Sequence, residues 1–293
     1  MQLLLLTVLA CGSAQDRPVD HTALRMSETP LVGDWPGVSG LDAGYKGWVA
    51  VEERGQRLLT IPFDGEPRAW PINGVPVGLD LEAVAIADGD FWLGTEALDP
   101  RATDRLLRVT LDEVGAKVVE ERSLPYGPFG LQGEVNRGIE GLCAEGGQLL
   151  AAAEVVSQHG GRRWAPAWLT GDATSVRPLW LGLSTQNGTL SALACELDGE
   201  DLAAWGIERS LGVERVLRWR ISPGAELERI EPQGTWDLDP ALPDAYNPEG
   251  LALIGLEKDG SRLAAVVNDN DQVTVLGSTR IVVVKLAPLA RAR

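Results

Sequence analysis

Paired apolar runs recur five times along the chain, each pair opening on Ser or Glu, broken by a Gly-rich turn, and closing on Glu or Asn. The units run from Val38-Ser39-Gly40-Leu41 to Trp48-Val49-Ala50-Val51-Glu52, from Leu81-Glu82-Ala83-Val84 to Trp92-Leu93-Gly94-Thr95-Glu96, and from Ile139-Glu140-Gly141-Leu142 to Leu150-Ala151-Ala152-Ala153-Glu154. Two more run from Leu190-Ser191-Ala192-Leu193 to Trp205-Gly206-Ile207-Glu208 and from Pro248-Glu249-Gly250-Leu251 to Ala265-Val266-Val267-Asn268. The opening residues 39, 82, 140, 191 and 249 lie 43, 58, 51 and 58 apart, a period typical of propeller blades. Asp88-Gly89, Glu145-Gly146-Gly147, Asp198-Gly199 and Asp259-Gly260 provide the positive-φ residues that tight hairpins need.

Third strands follow at residues 57–61, 105–111, 167–170, 215–221 and 280–286, rich in Leu and β-branched residues. Poorer fourth strands follow in four units, near residues 69–70, 117–121, 175–180 and 226–230. The fifth unit ends without one, so residues 24–28 are expected to close it and remove a free sheet edge. The pattern predicts an all-β propeller over residues 22–290, with five blades of four antiparallel strands and six as the alternative. In 293 residues, 34 Gly and 18 Pro leave little helical periodicity, which agrees.

Leu3 to Leu9 and then Val8-Leu9-Ala10-Cys11 read as a signal peptide over 1–10 and a lipidated Cys11, with a tether over 11–21. No Lys or Arg precedes that run. The expectation is a monomer of the bacterial cell envelope, on the membrane through its anchor alone, with ordinary secretion or a cytoplasmic chain as alternatives. Cys143 and Cys195 fall on the first strands of adjacent units; a disulfide and two separate buried thiols are both open, and strand alternation favours the thiols. A net charge of −16 and an isoelectric point near 4.6 oppose binding of nucleic acid.

In a propeller the start of the first strand and the end of the second share a face. Ser39, Glu82, Glu140, Ser191 and Glu249 are therefore expected as an inner ring at the channel mouth, with Glu52, Glu96, Glu154, Glu208 and Asn268 outside it and Asp269 and Asp271 just beyond. Two charges about 7 Å apart at an effective dielectric of about 20 repel by roughly 2 kcal/mol, so three ionised inner glutamates would cost roughly 7 kcal/mol. A calcium-like cation, an arginine such as Arg54, Arg137 or Arg209, or bound protons would offset this. Alternatively the carboxylates accept backbone N–H groups and tie the blades together.

The segments LDLEAVAIADGDFWLGTEA, NRGIEGLCAEGGQLLAAAE, and NPEGLALI followed by VVNDND resemble the esterase-like phytase propellers of bacteria and their secreted relatives, over roughly residues 35–288. The resemblance implies an extracytoplasmic propeller, calcium-dependent, with phosphoester or ester hydrolase activity. By analogy with propeller lactonases, it places Glu82, Glu140, Glu249, Asn268 and Asp269 as metal ligands. Glu140 and Glu82 are the catalytic candidates.

There is no Gly-x-Ser-x-Gly elbow, and the only histidines are His21 and His159, so a triad would have to use His159 beside Ser157. Phytate, highly anionic, would need bridging cations or arginines at such a mouth. Of the ten tryptophans, Trp48, Trp70, Trp92, Trp168, Trp180, Trp205 and Trp219 fall on strands and read as interblade packing. Trp164 reads as a loop residue on the ligand face, beside Arg137 and Arg209. Loops 125–137, 155–166 and 237–248 are expected to form a lid there. The competing reading is a non-catalytic propeller that binds a protein partner or small ligand at the same face.

Overall fold

The computed structural model describes residues 16–289, except 32–34, 36, 54, 100–101, 172–174, 225, 245 and 271–277. Cys11, Arg54 and Asp271 lie outside the described residues. The chain is an all-β propeller. Its first unit runs Val38–Gly44, Gly47–Glu52, Arg57–Pro62 and Arg68–Asn73, and its second Leu79–Ala87, Asp90–Ala97, Arg105–Leu111 and Ala116–Ser123. Ile139–Glu145, Gln148–Ala153, Arg162–Thr170 and Val176–Gly182 make the third. Thr189–Asp198, Asp201–Ser210, Val213–Ile221 and Gly234–Asp237 make the fourth, and Asn247–Leu256, Arg262–Asp269, Arg280–Leu286 and the N-terminal Leu24–Pro30 the fifth. The outer strands of the first two units join in a short parallel pair, Ala116 and Lys117 against Ile72 and Asn73. The innermost strands contact one another in the cyclic order first, second, third, fourth, fifth, first.

The second strands explain why the chain closes on itself. Val49 and Val51 pack into a cluster with Leu81, Val84 and Leu93 of the second unit, while Ala50 between them packs with Ala252, Ala265 and Val267 of the fifth. Successive side chains of a strand point to opposite faces, so a strand buried on both sides must be apolar throughout. The runs Trp48–Val51 and Leu150–Ala153 reflect that double burial. Trp205 and Trp236 meet with ring centroids 5.1 Å apart between the fourth and fifth units.

The closing strand forms as expected: Thr29 pairs with Ile281 and Glu28 with Val282. Docking begins within the stretch read as tether, where the Arg17 N–H donates to Ser184 O at 2.7 Å and Asp20 N–H to Thr235 O at 3.2 Å.

Three details correct the sequence reading. The fourth strand of the fourth unit is Gly234–Asp237, whereas Glu228–Ile230 crosses to pair in parallel with Val176–Gly182 of the third. Thr235 and Trp236 are fully buried, a role that the charged Glu228-Arg229 pair is unsuited to fill. Trp164 is not a loop residue: the third strand begins at Arg162, and Trp164 is 5% exposed.

Cys143 and Cys195 form a disulfide with Cα atoms 5.5 Å apart. Neighbouring units pack face to back, so side chains on opposite local faces are the ones that meet. The parity that argued for separate thiols in fact brings them together. The bridge closes a separation of 52 residues, and replacing both cysteines with serine is expected to lower unfolding stability by about 3–4 kcal/mol in denaturant titrations.

Candidate active site at the channel mouth

Each inner strand carries a β-bulge at its mouth end. Leu81 pairs with Thr95 and Ala83 with Gly94, leaving Glu82 supernumerary. The same shift isolates Glu140 between Ile139 and Gly141, Ser191 between Leu190 and Ala192, and Glu249 between Pro248 and Gly250. In the first unit it falls one residue later, on Gly40. A bulge releases one residue from the ladder and re-aims its side chain. Four of the five positions found by periodicity are thus bulge residues, a local geometry the repeat alone did not reveal.

The second-strand ends are largely structural. Glu208 accepts four hydrogen bonds, from the N–H and Oγ of Ser184 (2.9 and 2.6 Å) and the N–H and Oγ1 of Thr185 (2.9 and 2.6 Å). Glu52 is paired to Arg57, Glu154 accepts from Thr189 Oγ1 at 3.1 Å, and Asn268 Oδ1 accepts the Arg280 N–H at 2.7 Å. Glu96 accepts the Gly138 N–H at 3.5 Å. Only Gly allows that approach, because a Cβ on residue 138 would lie 2.4 Å from Glu96 Cα.

The inner carboxyls are different. Glu82, Glu140 and Glu249 are buried. Burial, then Glu140 and Glu53, push Glu82 well above the carboxylate range. Burial followed by Glu249 does the same to Glu140, against the pull of Arg209. Burial carries Glu249 up to about 8 although Arg209 lowers it, and burial with Asp269, Glu249 and Asp80 carries Glu53 to about 8. Burial raises Glu96 as well, while the Gly138 N–H and the neighbouring Glu82 carboxyl pull it back down. Arg209 Nη1 contacts the Glu249 carboxyl and donates to Asn247 Oδ1 at 2.6 Å, while Asn247 Nδ2 donates to Glu249 Oε1 at 2.9 Å. Glu249 Oε2 is buried and has no hydrogen-bond partner among the described residues.

One carboxylate oxygen from each of Glu53, Asp80 and Glu82 lies within 4.8 Å of the others. These are hard oxygen donors, as calcium or magnesium requires, and a cation there would reverse the repulsion that raises Glu53 and Glu82. The donor set fits a metal. Of the sequence-expected ligands, Glu82 belongs to this cluster; Glu249 and Asp269 act on it electrostatically through Glu53, and Asn268 Oδ1 is committed to backbone. Glu53 escaped the sequence reading although Asp269 holds the same position after the second strand of the fifth unit, and Asp80 because no other unit carries a carboxylate two residues before its ring position.

Arg209 lies among the inner carboxyls. Arg137 stands at the rim, half-exposed and 3.4 Å from Glu134. His159 sits on the exposed hairpin strand Ser157–His159, its Nε2 3.3 Å from Ser157 Oγ and its ring edge-on to Trp180 on the third unit's outer strand. The loop expected over 125–137 contains the turn Gly127–Phe129, and its Tyr126 hydroxyl donates to Asp104 at 2.6 Å.

Fold and site together define a propeller whose channel mouth is built of buried carboxyls around one arginine, with an oxygen-ligand cluster beside them. The chain belongs to the phytase-like family: the family model described as esterase-like activity of phytase matches residues 9–272. Among solved structures, it resembles RS223 β-xylosidase (9% identity, 88% of this chain and 94% of that one, TM-score 0.55). It also resembles a Bombyx mori GH32 β-fructofuranosidase (11% identity, 90% and 62%, TM-score 0.51) and a thermostable family-43 glycoside hydrolase (10% identity, 88% and 92%, TM-score 0.50). At such identities these share the fold alone. No curated protein matches the chain in sequence.

Proposed function

We propose that this chain is a cation-dependent hydrolase of phosphoesters or carboxylic esters, lactones included, acting at the channel mouth. The observation that carries the reading is the Glu53–Asp80–Glu82 oxygen cluster set among buried carboxyls, Glu140 and Glu249, which burial pushes above the ordinary carboxylate range. The family match supports the reaction class. Glu53, Asp80 and Glu82 would hold calcium, which when bound polarises a phosphoryl or carbonyl oxygen and lowers the pKa of water. Glu140, buried and pushed well above the ordinary carboxylate range, would give its carboxyl proton to a leaving oxygen. Arg209, fixed by Asn247 and Glu249, presents a permanent positive charge to developing negative charge.

Calorimetric titration of calcium into the chelator-treated chain tests this. Binding is expected in wild type and is expected to be lost in Glu82→Gln; no binding at millimolar calcium would sink the cation-dependent reading. For location we infer the cell envelope, with Cys11 as the lipid attachment point. The Cys143–Cys195 bridge supports an oxidising compartment, and recovery of both as free thiols from cells would remove that support.

A further inference from the structure

Val77 and Leu211 are fully exposed apolar side chains at loop tips, positions that polar and turn-forming residues ordinarily fill. Both lie on the mouth face, where the connections that enter an inner strand or leave a second strand meet. Val77 precedes the second unit's inner strand, Leu79–Ala87, and Leu211 sits in the turn between Asp201–Ser210 and Val213–Ile221 of the fourth. Half-exposed Leu98 and Val135 join them from the loops after Ala97 and before Ile139. The Leu98 N–H donates to Gly78 O at 2.9 Å and the Asn136 N–H to Ala97 O at 3.1 Å, so the loops that carry Val77, Leu98 and Val135 stand side by side. They give the second unit an apolar rim, and Leu211 stands two units further around the ring.

Exposure alone does not choose this face, since Tyr45, Phe63 and Leu256 are exposed on the opposite one. The N-terminal segment decides between them. Asp16 Oδ1 accepts the Gln186 N–H at 2.8 Å, and the Arg17 carbonyl accepts from Arg215 Nη1 at 3.2 Å. Gln186 belongs to the connection that enters Thr189–Asp198, so residue 16 is seated on the mouth face between the third and fourth units. Cys11 is five residues away, at most about 17 Å along extended chain. The opposite face is about 30 Å away, the length of a ten-residue strand such as Thr189–Asp198. A lipid on Cys11 reaches a bilayer on the mouth side and falls short of one on the other.

We propose that the mouth face rests on a lipid bilayer, with Val77, Leu98, Val135 and Leu211 entering the headgroup boundary. This orientation depends on Cys11 as the lipid attachment point. A flexible tether attaches a domain without orienting it; burial of apolar side chains at the interface adds a second hold that fixes which face is down. A net charge of −16 sets the chain against anionic lipid, so the surface it fits is zwitterionic.

Hydrogen exchange read by mass spectrometry tests this on the chain from Cys11 onward, which retains every described residue. Cys11, the one cysteine outside the Cys143–Cys195 bridge, is joined to a maleimide phospholipid in phosphatidylcholine vesicles. The control carries N-ethylmaleimide at Cys11 and no vesicles. On vesicles the amides of 75–78, 97–99 and 210–213 are expected to exchange severalfold more slowly than in the control, with 44–47 and 256–260 unchanged. The double variant Val77→Asp, Leu211→Asp is expected to lose the slowing at 75–78 and 210–213 with an unchanged melting temperature. Equal exchange on and off vesicles overturns the proposal, as does slowing confined to 44–47 and 256–260, which would seat the opposite face. Slowing that survives in the double variant, or that strengthens when phosphatidylglycerol is added, overturns the apolar contact. Because the lipid is attached chemically, recovery of unmodified Cys11 from cells would count against the envelope reading alone.

Discussion

Glu140→Gln is expected to lower kcat on any ester the wild type hydrolyses by about 10²–10⁴-fold, the usual contribution of a positioned proton donor. The amide keeps the shape of the side chain and cannot donate that proton. Stability is expected to hold or rise. Glu140 is buried, and burial with the charge of Glu249 pushes it well above the carboxylate range, so the neutral isostere removes a group whose ionisation costs energy in the fold. Parallel kinetics and thermal melts separate the alternatives. A fall in melting temperature that accounts for the lost activity would make Glu140 a structural tie, and unchanged kcat would remove it from the mechanism.

The second large effect is on stability against pH. Glu53 and Glu249 each hold a proton up to about pH 8 in the fold, against an ordinary value of 4.5. Between those values the folded chain binds more protons than the unfolded chain. Stability is therefore full below about pH 4.5 and falls as pH rises toward 8. In chelator the loss is expected to be on the order of 3 kcal/mol, because the two groups are coupled and their shifts do not add. Saturating calcium is expected to flatten the fall by compensating Glu53. Melts from pH 5 to 8, with and without calcium, read this directly; a chelator-treated protein that becomes more stable toward pH 8 would contradict the buried-proton description.

What the sequence disclosed follows from what a repeat can encode. A second strand buried on both faces must be apolar throughout, so Trp48–Val51 and its counterparts were legible, as was the ring position that opens each unit. Features unique to one unit were not. Asp80 has no acidic counterpart around the ring, and Glu53 shares its place only with Asp269, so the repeat does not mark the two as convergent. The fourth unit's outer strand was misplaced because Gly234–Asp237 is only four residues long. Trp164 was misread because the third unit's hairpin is longer than its siblings. The cysteines were judged by strand alternation within single units, when the deciding relation was between two units.

The bulges have an evolutionary corollary. Since the mouth residues Glu82, Glu140, Ser191 and Glu249 have no cross-strand partner in the ladder, exchanging one of them leaves the pairing of its neighbours intact. Ser191 beside three glutamates already shows two chemistries in equivalent seats. Four of the five units thus offer a socket that selection can refill separately, so a lineage could alter what this channel recognises by point substitution while inheriting the same scaffold.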